Sequence, residues 1–229
     1  MLVMLLFIGN NIMAADYVVK TGEFNEVRIR NAIPIVIVET NDSTGTATFS
    51  TDNETTVQSI VFELKDGKLT VSLDPRTYNR NNPIPIVTLR TATIDKATNE
   101  GDSLMIVQCG KPKESFSLKQ IGNGSSVLMN IEAREVKVAL SLGAGRINVV
   151  GLCAKAKLDN TGQGLIQAAT LKTKEAVCYI MGTGNIDCYA SESLSVKGMG
   201  SGTVFYGGHP SVVKNHGLGI KLSDCQDCQ

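Results

Sequence analysis

"VKGMGSGTVFYGGHP" (residues 196–210) runs directly into "SVVKNHGLGIKL" (residues 211–222). Two Gly-x-Gly triplets, Gly200/Gly202 and Gly217/Gly219, each precede β-branched or apolar residues. Such a stretch is a phosphate-cradling loop, a flexible linker or one turn of a repeat. Upstream, the triplet recurs at Gly143/Gly145, Gly162/Gly164 and Gly182/Gly184. The steps between first glycines are 19, 20, 18 and 17 residues. In the first four units an aliphatic β-branched residue follows at one fixed offset: Ile147, Ile166, Ile186 and Val204. In the fifth, Ile220 takes that role one residue early.

A period near 20 with recurrent glycines and short strands is the signature of a solenoid. Each coil pairs with the next at about 4.8 Å. Glycine belongs at the corners, where φ turns positive and neighbouring backbones come close. The recurrent Ile or Val points inward and forms a stacked ladder worth roughly 1.5–3 kcal/mol per covered side chain. The phosphate reading fails on its own requirements. "GAGRIN", "GTGNID" and "GSGTVF" lack the third glycine of a dinucleotide fingerprint, and strand-formers follow where a helix N-terminus is needed. A linker would not carry alternating strand-formers up to each glycine.

The first half is also strand-rich. "NEVRIR" alternates with Val27 and Ile29 on one face, and "IPIVIVE" sets Ile33, Ile35 and Ile37 against Val36 and Val38. "SIVFELKDGKLTVSL" reads as a hairpin about Asp66-Gly67. "NIEAREVKVAL" fits a short helix or, from Val136, an alternating strand. The expected fold is all-β, a right-handed β-solenoid of single-stranded coils. One domain is expected over residues 16–222, with an N-terminal half (16–121) continuous with a Gly-x-Gly half (122–222) and a cysteine-containing tail (223–229).

Composition excludes several functions. Lys plus Arg and Asp plus Glu both number 22, so no basic excess draws nucleic acid. Aromatics are 5% with no Trp, which leaves no stacking platform for bases. "MLVMLLFIGNNIMAA" reads as the end of a signal peptide cleaved after Ala15, although it lacks a positive leading region. No apolar run reaches the ~20 residues of a membrane helix. The six cysteines are irregularly spaced, and Cys225-Gln-Asp-Cys228 has no following helix to activate a dithiol, so a plain tail or a local disulfide is expected there.

The stretch Gly200, Gly202, Val204, Tyr206, Gly208, Pro210, Gly217, Gly219 resembles the close of the head GIN domain family, described as the head of an autotransporter adhesin. Gly145-Arg146-Ile147-Asn148, Gly184-Asn185-Ile186, "LKDGKLTVSL" and residues 23–52 resemble it too. The resemblance spans about Phe24 to Leu222. It implies an exported bacterial β-solenoid of undetermined function, in the periplasm, at the outer membrane or on the cell surface. The chain as given carries no closing series of ~10-residue barrel strands, so it is not expected to export itself.

No catalytic, cofactor or metal residue is expected. His209 and His216 sit beside glycines without a carboxylate neighbour, and Ser201 lies in a corner where small residues fit. Asp159, Glu175, Asp187 and Glu192, which a carbohydrate-cleaving β-helix would need together, fall at different repeat offsets. The turn-rich segment Asp74–Asn82 is the binding-loop candidate, with Arg76, Tyr78 and Arg80 to grip a polar or anionic partner. The resulting expectation is a non-enzymatic binding module for an envelope or host glycan or protein. Self-association of an envelope scaffold is the alternative, and a β-helix enzyme a distant third.

Overall fold

The computed structural model describes residues 14–225. The signal-peptide assignment and the Cys228 end of the C-x-x-C pair therefore fall almost wholly outside the described residues. The strands begin with β1 (Ala15–Lys20), β2 (Glu26–Ile29), β3 (Ile35–Glu39) and β4 (Thr46–Thr51). A six-residue helix, α1 (Glu54–Ser59), follows, capped by the Asn53 side chain, which accepts from the Thr56 N–H at 3.2 Å. Next come β5 (Ile60–Lys65), β6 (Lys68–Leu73), β7 (Val87–Thr91), β8 (Lys96–Asn99) and β9 (Leu104–Gln108). The rest are β10 (Lys113–Ile121), β11 (Ser125–Ser141), β12 (Arg146–Thr161), β13 (Leu165–Ala168), β14 (Leu171–Gly182) and β15 (Asn185–Tyr189). The series ends with β16 (Ser193–Gly200), β17 (Thr203–Gly207), β18 (Val212–Asn215) and β19 (Lys221–Asp224).

These strands build a β-solenoid whose coils each give one strand to each of two parallel ladders. The first ladder runs β6, β2, β8, β10, the second part of β11, the second part of β12, β14, β16 and β18. The second runs β7, β3, β9, the first part of β11, the first part of β12, β13, β15, β17 and β19. β11 and β12 serve both ladders because they bend at a corner. In β11 the register breaks between Leu128 and Ile131, where Asn130 takes a positive φ of 57°.

The order of coils departs from the order of the chain. The β2–β3 coil is laid down first, yet it lies between the β6–β7 coil and the β8–β9 coil. Beyond β6–β7 the stack closes with antiparallel strands: β5 against β6, β4 against β7, and β1 against β4. The β5–β6 hairpin turns at Asp66 and Gly67, both at positive φ, the geometry that Asp-Gly favours. At the other end, among the described residues, β18 and β19 pair on one side only.

Alternation puts one residue in two inside. Ile147, Ile166, Ile186 and Val204 stand in register on the second ladder and are fully buried. The next position up is Leu222, paired with Val204, and not Ile220. Ser126 pairs with Ile147 one coil below, and its hydroxyl donates to the Gln120 side-chain oxygen at 2.6 Å inside the core. The first ladder buries Asn160 completely. Its amide donates to the Gly164 and Asn185 carbonyls (2.9 and 3.0 Å), and its oxygen accepts from Gly162 N–H (3.2 Å). An inward amide thus holds the corner backbone that no strand can pair.

One buried ion pair clips three coils together. Glu39 accepts from Lys113 Nζ at 2.8 Å, from the Gly110 and Lys111 N–H groups at 2.8 and 3.1 Å, and from the Ile94 N–H at 3.2 Å. Lys113 also donates to the Ile94 carbonyl at 2.8 Å. Burial pushes the Glu39 carboxyl up, but the Lys113 ammonium and the backbone donors outweigh it and hold the group below the usual carboxylate range.

Candidate functional site

The glycine corners form two vertical columns. In the second column, Gly124, Gly145, Gly164, Gly184 and Gly202 each lie against the carbonyl of the one below. A Cβ on Gly164 would sit 2.0 Å from the Gly145 carbonyl oxygen. The first column is Gly122, Gly143, Gly162, Gly182, Gly200 and Gly219, and Gly143 turns with φ at 107°. Gly217 stands outside both columns. It turns within its own coil, where the Asn215 side-chain oxygen accepts its N–H at 2.9 Å. The Gly122/Gly124 pair opens the series one coil before Gly143. It is a further Gly-x-Gly, but Ser126 stands where the later units carry Ile or Val.

The corners carry no reactive constellation. His209 and His216 are exposed turn residues and make no ion pair among the described residues. Ser201 is an exposed corner residue whose N–H donates to the Gly182 carbonyl at 3.1 Å. Asp159 points outward from the first ladder and Asp187 from the second, so the core separates them. Partial burial raises both carboxyls. Burial also raises the Cys109 thiol to about 12 and that of Cys153 above its ordinary value, which leaves little thiolate at neutral pH. Among the described residues, no group of three or more His, Cys, Asp or Glu could hold a metal ion. No helix there is long and apolar enough to cross a membrane.

The three residues of the Asp74–Asn82 loop stand in different settings. Arg76 folds back on Asp74 through two side-chain bonds of 3.1 and 2.8 Å, and its own N–H adds a third at 2.9 Å. Those bonds pull the Asp74 carboxyl down to about 2. Tyr78 is partly buried and packs against the core. Arg80 is exposed and makes no ion pair with the described residues.

A larger polar surface lies on the first ladder, where the chain enters β10, β11, β12 and β14. There a shallow open groove of about 660 Å³ crosses four coils. Stacked coils set opposite charges beside one another: Glu114 with Arg134 at 3.5 Å, Lys155 with Glu175 at 3.4 Å and, next along, Lys174 with Glu192 at 3.2 Å. Glu135 holds Lys157 at 2.6 Å and Lys137 at 3.1 Å, and these lysines lower its carboxyl. Most of these groups are exposed, so each pair contributes little to stability and its partners are free to exchange. Local sequence hides this groove, because its charges are about 20 residues apart and meet only through the coil register.

A family profile described as "Putative auto-transporter adhesin, head GIN domain" matches residues 23–210. The chain belongs to this family. The head GIN domain here has solved structural relatives. One is described as a putative adhesin from Bacteroides fragilis, with 22% identity and a TM-score of 0.81 over 95% of this chain and 100% of that one. Another, described as a "Putative lipid binding protein" from Parabacteroides distasonis, has 18% identity and a TM-score of 0.70 over 93% and 98%. A third, described as a putative adhesin from Parabacteroides merdae, has 16% identity and a TM-score of 0.66 over 93% and 98%. At these identities the likeness establishes the shared fold. Among curated proteins none matches the chain.

Proposed function

We propose that this head GIN domain is an exported, non-catalytic binding module of the bacterial cell envelope. Its ligand is a charged envelope or host polymer, glycan or protein. The observation that carries the reading is the groove from Glu114 to Glu175. A rigid stack there presents exposed, alternating charges at the coil spacing, in pairs weak enough to exchange for a ligand. Family membership supports the binding role. Arg80, exposed on its loop, is the second contact point.

The test is an array of glycans and envelope proteins probed with the purified domain. Ligands are expected to lose affinity as salt rises. Lys155→Glu with Lys174→Glu is expected to cut binding at least tenfold. Binding indifferent to both changes sinks the proposal. Cell fractionation tests export separately.

A second reading, a self-assembling envelope scaffold, is favoured by the one-sided pairing of β18 and β19. It requires mass to rise with concentration in light scattering.

A further inference from the structure

Cys178 on β14 and Cys188 on β15 face each other inside a single coil, with sulfurs 3.8 Å apart and both residues buried. Among the described residues this is the one contact between free thiols; Cys109 and Cys153 lie elsewhere, and Cys225 is disulfide-bonded. Cys178 is stacked between Leu158 and Val196 on one ladder, and Cys188 between Ala168 and Tyr206 on the other. The two are ten residues apart and are joined through the Gly182-Thr183-Gly184 corner. Glycines on both sides of that corner, and only an alanine methyl beneath Cys188, leave room for the sulfurs to close to the ~2.05 Å of a disulfide.

We infer that Cys178 and Cys188 are a disulfide-forming pair that staples the two ladders of one coil in the exported protein. The inference rests on the export proposed above, because only an oxidising compartment maintains such a bond. The oxidant is a disulfide, either on an oxidoreductase or as oxidised glutathione. One cysteine thiolate attacks the oxidant's S–S bond and forms a mixed disulfide, releasing the first thiol. The second cysteine thiolate attacks the mixed disulfide, closes the Cys178–Cys188 bond and releases the second thiol. Two electrons and two protons pass to the oxidant, which leaves as two thiols. In the finished coil both sulfurs are buried beneath β16 and β17, out of reach of a disulfide oxidant. Oxidation therefore takes place while the coil is still open, before β16 and β17 cover it.

The test refolds the unfolded, reduced full chain in two buffers, one with a reducing agent and one with a mixture of oxidised and reduced glutathione. Each sample is then blocked with N-ethylmaleimide in denaturant. The tryptic peptide Glu175–Lys197 contains both cysteines and no internal Lys or Arg, so mass spectrometry reads the pair directly. The expected peptide from the glutathione arm carries no adduct and is lighter by two hydrogens, while the reducing arm yields two adducts. The oxidised chain is also expected to unfold at higher urea, and C178V/C188A is expected to abolish that difference while retaining the strand circular dichroism of the parent. Two adducts in both arms, or glutathione left on either cysteine without closure, overturns the pairing. The outcome is independent of location. A cytoplasmic protein in cell fractionation refutes export, whereas an unpaired peptide in the glutathione arm refutes the staple alone.

Discussion

Replacing Gly164 by alanine tests the coil-on-coil architecture at one of its tight backbone contacts. The new methyl would lie 2.0 Å from the Gly145 carbonyl oxygen and 2.6 Å from a Leu140 methyl. The leucine can rotate away, but the carbonyl is fixed in the ladder. Relief requires the coils to part by roughly 1 Å from a spacing of about 4.8 Å. Two bonds span that gap, Leu165 N–H to Gly145 O at 3.1 Å and Gln163 N–H to Gly143 O at 2.8 Å, and both would stretch beyond useful length. Leaving such groups unpaired costs about 1–3 kcal/mol each, and overpacking adds about 1–3 kcal/mol. The expected loss is about 3–9 kcal/mol. With a urea dependence of about 2–3 kcal/mol per molar, the unfolding midpoint falls by about 1 M or more. Gly207→Ala is the control, because its nearest neighbour lies 3.4 Å from the added carbon and its φ is ordinary. It is expected to stay within about 1 kcal/mol of the parent. If Gly164→Ala unfolds in urea alongside Gly207→Ala, the steric account of the glycine columns is wrong.

Other perturbations address other parts of the stack. Lys113→Met strands the Glu39 carboxylate in the core and is expected to cost about 3–5 kcal/mol at pH 7. The Glu39 contribution is complete above the unfolded carboxylate value of about 4.3 and is lost as pH falls through its lower folded value. The gap between parent and variant should therefore narrow in urea melts at acid pH, and a gap that widens contradicts the assignment. Asn160→Ala removes three buried bonds and should cost about 2–4 kcal/mol, against less than about 1 kcal/mol for Asn215→Ala in the exposed last coil. Equal losses in thermal melts would refute the corner role of the inward amide. Leu142 is 70% exposed at a positive φ of 59°, so Leu142→Gly is expected to raise stability by about 1 kcal/mol, read as a higher melting temperature.

The sequence reveals the repeat because its cause is local and steric. A carbonyl stacked beneath each corner admits no Cβ, so glycine must recur once per coil, and the inward position after it must be aliphatic. The same rule fails where another chemistry takes the position. Gly122/Gly124 escapes the pattern because its inward residue is Ser126, satisfied by Gln120. In the last coil, Gly217 is held by Asn215, so counting from it puts Ile220 where Leu222 stands in register. The fifth triplet resembles the others in sequence yet is offset from them in space. The placement of β2–β3 between later coils is invisible in a linear pattern, since it depends on pairings some 40 to 70 residues apart. The charged groove is hidden for the same reason. Tyr78 shows the reverse difficulty: an aromatic in a polar, turn-rich segment suggests a contact point, while its partial burial comes from a core that the loop's own residues do not announce.

The chain's first complete coil becomes an inner storey near one end of the tower, with one later coil on one side of it and all the others on the other. Growth is therefore bidirectional from a keystone. Shortening the protein from its amino end beyond Lys20 would pull out that inner course and part the β6–β7 coil from the rest of the stack, whereas trimming from the carboxyl end merely lowers the tower by one storey at a time. A nick in the stretch that leads from β7 to β8, where the path vaults over that coil, should leave the two sides clasped, because β2 and β3 grip both.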